Sequence, residues 1–320
     1  MYSSLRRTIF VLCAIYSPSA LALDGNFALD MGMASISRAH ADSLLPVRRM
    51  PSTLSLIPRY QVEGAAYLYP SLDWGASIGA ADSTQGPVAL GLVYQRESLQ
   101  YGLDSSLLPG WKLPGEEVEQ LSVHSLVGAS MGISFLNRSL SLGVGGFYFG
   151  TASDLNVLTH AFELNLSMGA KFADQVILGV GLVDALDAVD GSSLEFGVRW
   201  GLLDASGPLW KRCMDDSDVY YSSGGLEVDA GYSLRDGVPA FVGVAGDLPL
   251  DCYVSIRGGY QRDFLAQDNI FGAGISFDQI FSAIGYDVQL IPAEDGLEHR
   301  HLVSFRFRLS AKPFEPRPNL

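Results

Sequence analysis

The sequence predicts an all-β fold, a transmembrane antiparallel β-barrel of about 14 strands with a small N-terminal plug or hatch segment. Three observations carry that reading. Apolar and polar residues alternate strictly through many segments, the period of a strand with two unlike faces. The segments often run 9–13 residues, close to the ~9–11 that a tilted strand needs to cross a bilayer and longer than the ~5–6 usual in soluble sheets. The chain also opens with a secretory leader. A secreted sandwich or propeller shares the alternation. The strand length, and a polar face rich in Gly and Ser as well as charge, favour the barrel.

Composition narrows the class. Hydrophobic residues make up 48% of the 320, yet mean hydropathy is only slightly above zero. A bundle of membrane helices needs several apolar runs of about 20 residues, and the one apolar run of note lies at the N-terminus. The 35 glycines, 16 phenylalanines and 14 tyrosines suit a curved, crowded wall with aromatic girdles.

The elements follow in chain order. Residues 1–22 read as a signal peptide: Arg6 and Arg7, an apolar run from Thr8 to Tyr16, then the small-x-small site Ala20-Leu21-Ala22. An uncleaved anchor is the alternative, and the run is short for one. Cleavage would leave 19 basic residues against 35 acidic ones. That balance, with no basic stripe, disfavours nucleic acid as a partner. Residues 23–55 lack strand alternation. Their moderate hydrophobicity (Phe27, Leu29, Met31, Met33, Ile36, Leu44, Leu45) favours a packed plug over a tail dangling in the periplasm.

Residues 56–310 form the predicted barrel. In the last strand Val303, Phe305, Phe307 and Leu309 alternate with Ser304, Arg306 and Arg308; Leu194, Phe196, Val198 and Trp200 alternate with Glu195, Gly197 and Arg199. Fourteen such segments fit between residues 58 and 310, and an even count places both ends in the periplasm. The odd connections are then extracellular, including residues 98–119 and 292–299. The even ones are short turns such as Leu136-Asn137-Arg138. Residues 204–223 are long for a periplasmic turn and the first connection, near Pro70, is short for an outer loop, so a count differing by two stays open. Residues 311–320 carry three prolines and form a short tail. Phe305 and Phe307 then sit upstream of the C-terminus, where an aromatic barrel-assembly signal usually ends the chain.

Motifs for catalysis are lacking. His299 and His301 could share a strand face, but no helix carries a metal-binding pair. His124, with Ser122 on the same face, is the one arrangement resembling a hydrolase site. No phosphate loop or nucleophile elbow appears. No cofactor or metal is expected, and the chain is read as a non-enzyme. The charges of the polar face are more informative. By alternation Glu63, His124, Glu163, Glu195, Arg199, Glu227, Asp229, Arg257, Asp287, Arg306 and Arg308 face the lumen. They read either as ion pairs bracing the barrel or as a polar path. Asp287 lies one strand before Arg306 and Arg308, which suggests that they pair, and Glu63 must meet the last strand where the barrel closes. After cleavage the cysteines are Cys213 and Cys252, both on the periplasmic side by parity. An oxidising envelope permits a bridge between them, and two free thiols are the alternative.

The order of parts resembles the FadL-like superfamily of outer-membrane long-chain fatty acid transporters, including its PorV-type members in secretion systems. The residues concerned are Gly32-Met-Ala-Ser-Ile-Ser-Arg-Ala-His-Ala-Asp42, then Gly272-Ala-Gly-Ile-Ser-Phe-Asp278, Ile284-Gly-Tyr-Asp287 and Glu298-His-Arg300 before Ser304-Phe-Arg-Phe307. The family's Asn-Pro-Ala motif is missing, and Leu45-Pro-Val47 and Met50-Pro-Ser52 stand in that region. The resemblance implies a monomeric barrel of the bacterial outer membrane, in contact with its lipid and with the barrel-assembly machinery. It also implies an N-terminal hatch and an internal site for a hydrophobic ligand that passes without a cofactor. Val93, Leu126, Phe147 and Phe149, apolar with inward parity, are the candidate ligand-lining residues. The other functions kept open are a non-transporting barrel that anchors secretion partners and an outer-membrane hydrolase.

Overall fold

The computed structural model describes residues 44–68, 74–84, 86–103, 118–153, 158–172, 176–187, 191–201, 224–250, 253–278, 282–293 and 296–309. The leader, residues 23–43, Cys213, Cys252 and the tail 311–320 lie outside them.

A four-residue helix α1 (Leu45–Arg48) and a 3-10 helix (Pro51–Ser55) precede fourteen strands. They are β1 (Tyr60–Leu68), β2 (Trp74–Asp82), β3 (Val88–Leu103), β4 (Val118–Phe135), β5 (Leu140–Ser153), β6 (Leu158–Phe172) and β7 (Val176–Val183). The second half comprises β8 (Ser193–Gly201), β9 (Gly225–Ser233), β10 (Val238–Pro249), β11 (Val254–Asp263), β12 (Asn269–Asp278), β13 (Ser282–Ala293) and β14 (Gly296–Leu309). Each strand pairs with the next, and β1 pairs antiparallel with β14 from Tyr60↔Leu309 to Leu68↔His301, closing the barrel. Closure gives every strand two neighbours, so no edge is exposed to lipid. Each predicted strand is present.

The alternation is explained by what lies on the two faces. Outward positions such as Leu90, Leu92, Leu142, Val144, Val198 and Phe305 are exposed, and the positions between them are buried or half-buried. The outside is thus an apolar band. Where β4, β6, β8, β12 and β14 run down to one rim, Phe135, Phe172, Trp200, Phe277 and Phe307 stand outward, an aromatic girdle at a membrane–water boundary. Among the described residues no helix is long and apolar enough to cross a membrane.

That rim also carries the short turns. Between β4 and β5, Leu136, Asn137 and Arg138 all take left-handed backbone angles, with φ of 49°, 55° and 64°. Such angles are costly for residues with a Cβ, and Arg138 offers a compensation. Its Nη1 donates to Ser55 O (3.1 Å), and its Nη2 donates to Ser83 O (2.7 Å) and Gly86 O (2.5 Å). Partial burial holds its pKa below the ordinary arginine value, and it stays cationic. Arg138 therefore ties the chain entering β1 to two turns of the rim. Arg138→Ala is expected to lose on the order of 1–2 kcal/mol and to make residues 56–59 cleavable by protease, read by limited digestion of the detergent-solubilised protein.

Wall height is uneven. Strands β3–β6 are 16, 18, 14 and 15 residues long, whereas β7, β8 and β9 have 8, 9 and 9. The β6–β7 ladder runs from Phe172↔Val176 to Leu166↔Leu182. Above it the backbone N–H of Asp184 donates to Asn165 Oδ1 (2.7 Å), and that of Ala185 donates to Leu164 O (2.8 Å). The chain leaving β7 thus stays fastened to the side of β6.

Two connections differ from the sequence expectation. The connection between β13 and β14 is shorter than residues 292–299: the two strands stay in register to Ala293↔Gly296, with Pro292 next to the end of its strand. The third connection is also shorter, since β3 continues to Leu103 opposite Val118.

On the inner wall, large side chains lie sideways over glycines. Arg257, Gly274 and Asp287 are in one row of register across β11, β12 and β13. Arg257 Nε reaches over the glycine to Asp287 Oδ1 at 2.6 Å. A Cβ at Gly274 would lie 2.8 Å from both Arg257 Nε and Asp287 Cγ. Gly274→Ala is therefore expected to part a buried ion pair and to lower stability by about 3 kcal/mol, measured as a shift in the urea midpoint in micelles.

Candidate functional site

The interior site is built around residues 44–56, which lie inside the barrel against β3–β7. Pro46 and Pro51 stand at or next to the starts of the two short helices, where a missing N–H costs nothing. The chain is thereby turned twice in a few residues, and both faces of the segment become buried.

Its seat is a wall cleared of side chains. Inward positions on successive strands are glycines: Gly91 on β3, Gly132 on β4, Gly143 on β5, Gly169 on β6 and Gly179 on β7. A Cβ at Gly132 would lie 2.6 Å from Pro51 O, and one at Gly143 would lie 2.6 Å from Pro51 C and 2.8 Å from Ser52 Cα. At Gly91 and Gly169 it would press on Val47 (2.9 Å) and on Leu56 (3.2 Å), and at Gly179 on Met50 Sδ. At Gly132 and Gly143 the close approach of two backbones demands glycine; at Gly91, Gly169 and Gly179 side chains of the segment take the space.

Polar bonds hold the segment in this seat. Arg48 grips Glu163 with two bonds, Nε to Oε1 at 3.1 Å and Nη2 to Oε2 at 2.7 Å. Arg49 Nη1 donates to Glu195 Oε1 at 3.1 Å. Asn165 Nδ2 donates to Arg48 O at 2.8 Å and also to Glu163 Oε1. Ser52 N–H donates to Ser167 Oγ at 2.9 Å. Glu163 and Asn165 are 0% exposed, so these contacts act where water does not compete.

The larger apolar cluster of the site lies against β3–β5, and a smaller one joins Leu56 to Ile177 on β7. Val93, Leu126, Phe147 and Phe149 are all buried on the inner wall. They pack with Leu44, Val47 and Leu54 of the segment and with Ala81 and Ala89. The Phe147 ring lies over Gly128 and Gly145. Arg48 Cζ sits 4.8 Å from the centroid of the Phe149 ring, within cation–π range. The ion pair Arg48–Glu163 therefore forms the polar border of the apolar cluster. His124, one inward position beyond Leu126 on β4, is buried beside it.

The other charges lie along β8–β14 and β1. Arg199 Nη2 bonds Asp247 Oδ1 at 2.7 Å, and its Nη1 lies 3.7 Å from Glu227 Oε2; Asp229 is buried on the same strand as Glu227. Arg306 Nε donates to Glu63 Oε2 at 3.1 Å, joining the last strand to the first, and Gln61 Nε2 donates to the same oxygen at 3.1 Å. The closest partner of Asp287 is on another strand than the one the sequence suggested. Asp287 is bridged by Arg257, because the glycine between them on β12 leaves a clear row, while Arg306 is taken by Glu63. Arg308 stands opposite Gln61 in the ladder, and its side chain lies outside the described residues.

Several participants were not read from the sequence: Arg48, Arg49, Asn165, Ser167, Asp247 and Arg138. Two signals were present. The Arg48-Arg49 pair stands in a stretch without strand alternation, and glycines recur at inward parity on neighbouring strands. The two outer histidines are apart from the site. His299 and His301 have ring centroids 5.0 Å apart, and Tyr286 Oη lies 2.7 Å from His301 Nδ1, on the face where Val303 and Phe305 are exposed. The side chain of Ser122 is outside the described residues.

A closed fourteen-strand barrel, apolar outside, ion-paired inside and carrying a segment of its own chain against the inner wall, is a transmembrane barrel with an occupied lumen. Solved structures share this fold. The toluene transporter TbuX of Ralstonia pickettii is 11% identical, with a TM-score of 0.64 over 90% of this chain and 99% of that one. The Pseudomonas putida toluene transporter TodX is 10% identical, with a TM-score of 0.63 over 90% of this chain and 100% of that one. A FadL homologue from Pseudomonas aeruginosa is 11% identical, with a TM-score of 0.57 over 88% of this chain and 98% of that one. At these identities the likeness is one of fold. No protein-family model and no curated protein matches the sequence.

Proposed function

We propose that this chain is a bacterial outer-membrane barrel that passes hydrophobic or other small molecules passively, with Val93, Leu126, Phe147 and Phe149 lining the cargo site. The observation that carries this reading is a nine-residue apolar cluster inside a lumen that is otherwise rich in ion pairs. A barrel needs no apolar cluster to stay closed. A cluster bordered by a single ion pair is the composition of a small-molecule site, mostly apolar with a few placed polar groups. Barrels of the same fold are described as a toluene transporter and as a monoaromatic hydrocarbon channel, which supports the same cargo class. The reading assigns no catalytic step and no cofactor. It takes the protein as a monomer inserted by the barrel-assembly machinery, with residues 23–43 completing the plug.

The test is entry of radiolabelled toluene into intact Gram-negative cells expressing the protein, since their outer leaflet is a barrier that plain liposomes lack. Expression is expected to raise the initial uptake rate several-fold. An unchanged rate, with the barrel folded in the outer membrane, would leave the second reading, a non-transporting barrel that anchors envelope partners. The firm seating of residues 44–56 favours that alternative.

A further inference from the structure

We propose that the outer wall of β3–β6 binds the phosphate of a phosphorylated glycolipid of the outer leaflet, held between Arg96 and His160 at the upper edge of the apolar band. This surface faces lipid, and its role is independent of what the lumen carries.

Register places the edge. On β6 the outward side chains carry no charge from Phe172, at the rim of short turns, to Phe162. That stretch is about 33 Å along the strand, or about 25 Å of height at a tilt of ~40°, the depth of an apolar band. Tyr94, Tyr148 and Phe162, with Val127, lie in one register row across β3–β6. All four are outward and exposed, and they close the band. The next outward row is Arg96, Ser125, Gly150 and His160. Arg96 and His160 are exposed, and Ser125 and Gly150 between them are half-buried. The change from rings to polar groups falls at the same step on neighbouring strands, as it must where hydrocarbon gives way to headgroups.

The row has the shape of a phosphate seat. Strands ~4.8 Å apart put the Cα atoms of Arg96 and His160 about 14 Å from each other. An extended arginine and an imidazole span most of that distance and leave a gap of one phosphate group. The floor of the gap is low, since Gly150 has no side chain; a Cβ there would lie 3.3 Å from Ser125 Oγ and 3.7 Å from His160 Nδ1. Ser125 Oγ donates to Gly150 O at 3.2 Å, which folds that hydroxyl onto the wall. The His160 ring is held in place. It stacks on Tyr148, whose Oη lies 2.6 Å from His160 Nδ1. With the phenol assigned as the donor, the ring proton is on Nε2, which leaves an N–H for a ligand. Charge agrees with this. The chain has 35 Asp and Glu against 21 Lys and Arg, yet among the described outward side chains of β3–β6 Arg96 is the one permanently charged group and none is a carboxylate. A guanidinium and an imidazole N–H are donors suited to phosphate oxygens, and the acyl chains of the same lipid would lie on the apolar band below. Tyr286 and His301 supply the contrast. They repeat the stacked geometry, with Oη 2.7 Å from Nδ1, but the register neighbours of His301 are Val288 and Leu68, with no arginine beside them.

Native mass spectrometry of the folded, detergent-solubilised protein is the test, with diphosphoryl lipid A as the probe. One firmly held lipid is expected on the wild type. Affinity is expected to fall at least tenfold in Arg96→Ala/His160→Ala, in Gly150→Leu, which fills the floor and keeps both donors, and for lipid A stripped of its phosphates. His301→Ala is the control and is expected to bind as the wild type does. The heat-dependent shift in gel mobility confirms that each variant is folded. No binding to the wild type, equal binding of the dephosphorylated lipid, undiminished binding in the double variant or in Gly150→Leu, or an equal loss in His301→Ala overturns the proposal. Displacement of the lipid by millimolar inorganic phosphate would show a site for the free anion and overturns the lipid as its source.

Discussion

Glu163→Ala is expected to lower stability by about 3–5 kcal/mol, the cost of leaving a buried guanidinium without its carboxylate. The effect has three parts. Arg48 loses both charge-assisted bonds, at 3.1 and 2.7 Å. Asn165 loses its carboxylate neighbour and with it a fixed orientation for its bond to Arg48 O. The Arg48 guanidinium over Phe149 then remains a buried cation bordering an apolar cluster. The urea midpoint in micelles measures the stability, and current through single barrels in planar bilayers reports the segment. Frequent opening is expected in the variant and infrequent opening in the wild type. The double variant Arg48→Met/Glu163→Leu separates charge from shape. An apolar pair of similar volume is expected to restore most of the stability, because replacing both partners removes the desolvation penalty along with the attraction. A double variant as unstable as Glu163→Ala would show that the lost term is packing.

Gly143→Leu is expected to have the largest effect on the segment itself. The atoms that a side chain at this position meets are Pro51 C and Ser52 Cα, at 2.6 and 2.8 Å from its Cβ. Backbone cannot rotate aside as a side chain does. The barrel wall is held by ladders to β4 and β6 from Leu140 upward, so the segment must yield. Overpacking of this kind costs about 1–3 kcal/mol when neighbours can adjust, and here it is expected to exceed that range and expel residues 50–53. Single-barrel conductance should rise, and a cysteine introduced at Thr53 should become reactive to a water-soluble maleimide. Gly258→Ala is the control, since its nearest atom, Gly272 O, is 3.6 Å away; neither property should change.

Much of the architecture was legible because a barrel wall imposes one rule at every position. Each strand residue faces lipid or lumen, so apolar and polar alternate wherever the wall runs, and the inward parity of Glu63, Glu163, Glu195, Arg199, Arg257 and Arg306 could be read from their neighbours. Partner choice within the lumen could not. Arg257 and Asp287 are two strands apart and meet because β12 presents Gly274 between them. Arg306, on the strand next to Asp287, donates its Nε across the closure to Glu63 on β1. The extent of a hairpin was likewise hidden. Pro-Ala-Glu-Asp-Gly (292–296) has the composition of a loop, yet the ladder continues to Ala293↔Gly296.

The sequence by itself determined the wall: its β-period, an even strand number of about fourteen and which side chains face inward. Those properties depend on local alternation and length, and both are written along the chain. Only the tertiary structure decided what the inward face is for on each side of the barrel. Glycines at 91, 132, 143, 169 and 179 are separated by tens of residues and read singly as relief from crowding. In the folded wall Gly132 stands opposite Gly143 and Gly169 opposite Gly179, and with Gly91 they make room for one segment, whose Arg48 and Arg49 reach Glu163 and Glu195. The physical reason is that seating a segment depends on the shape summed over several strands, and register, which aligns those strands, is set by the closed hydrogen-bond network as a whole.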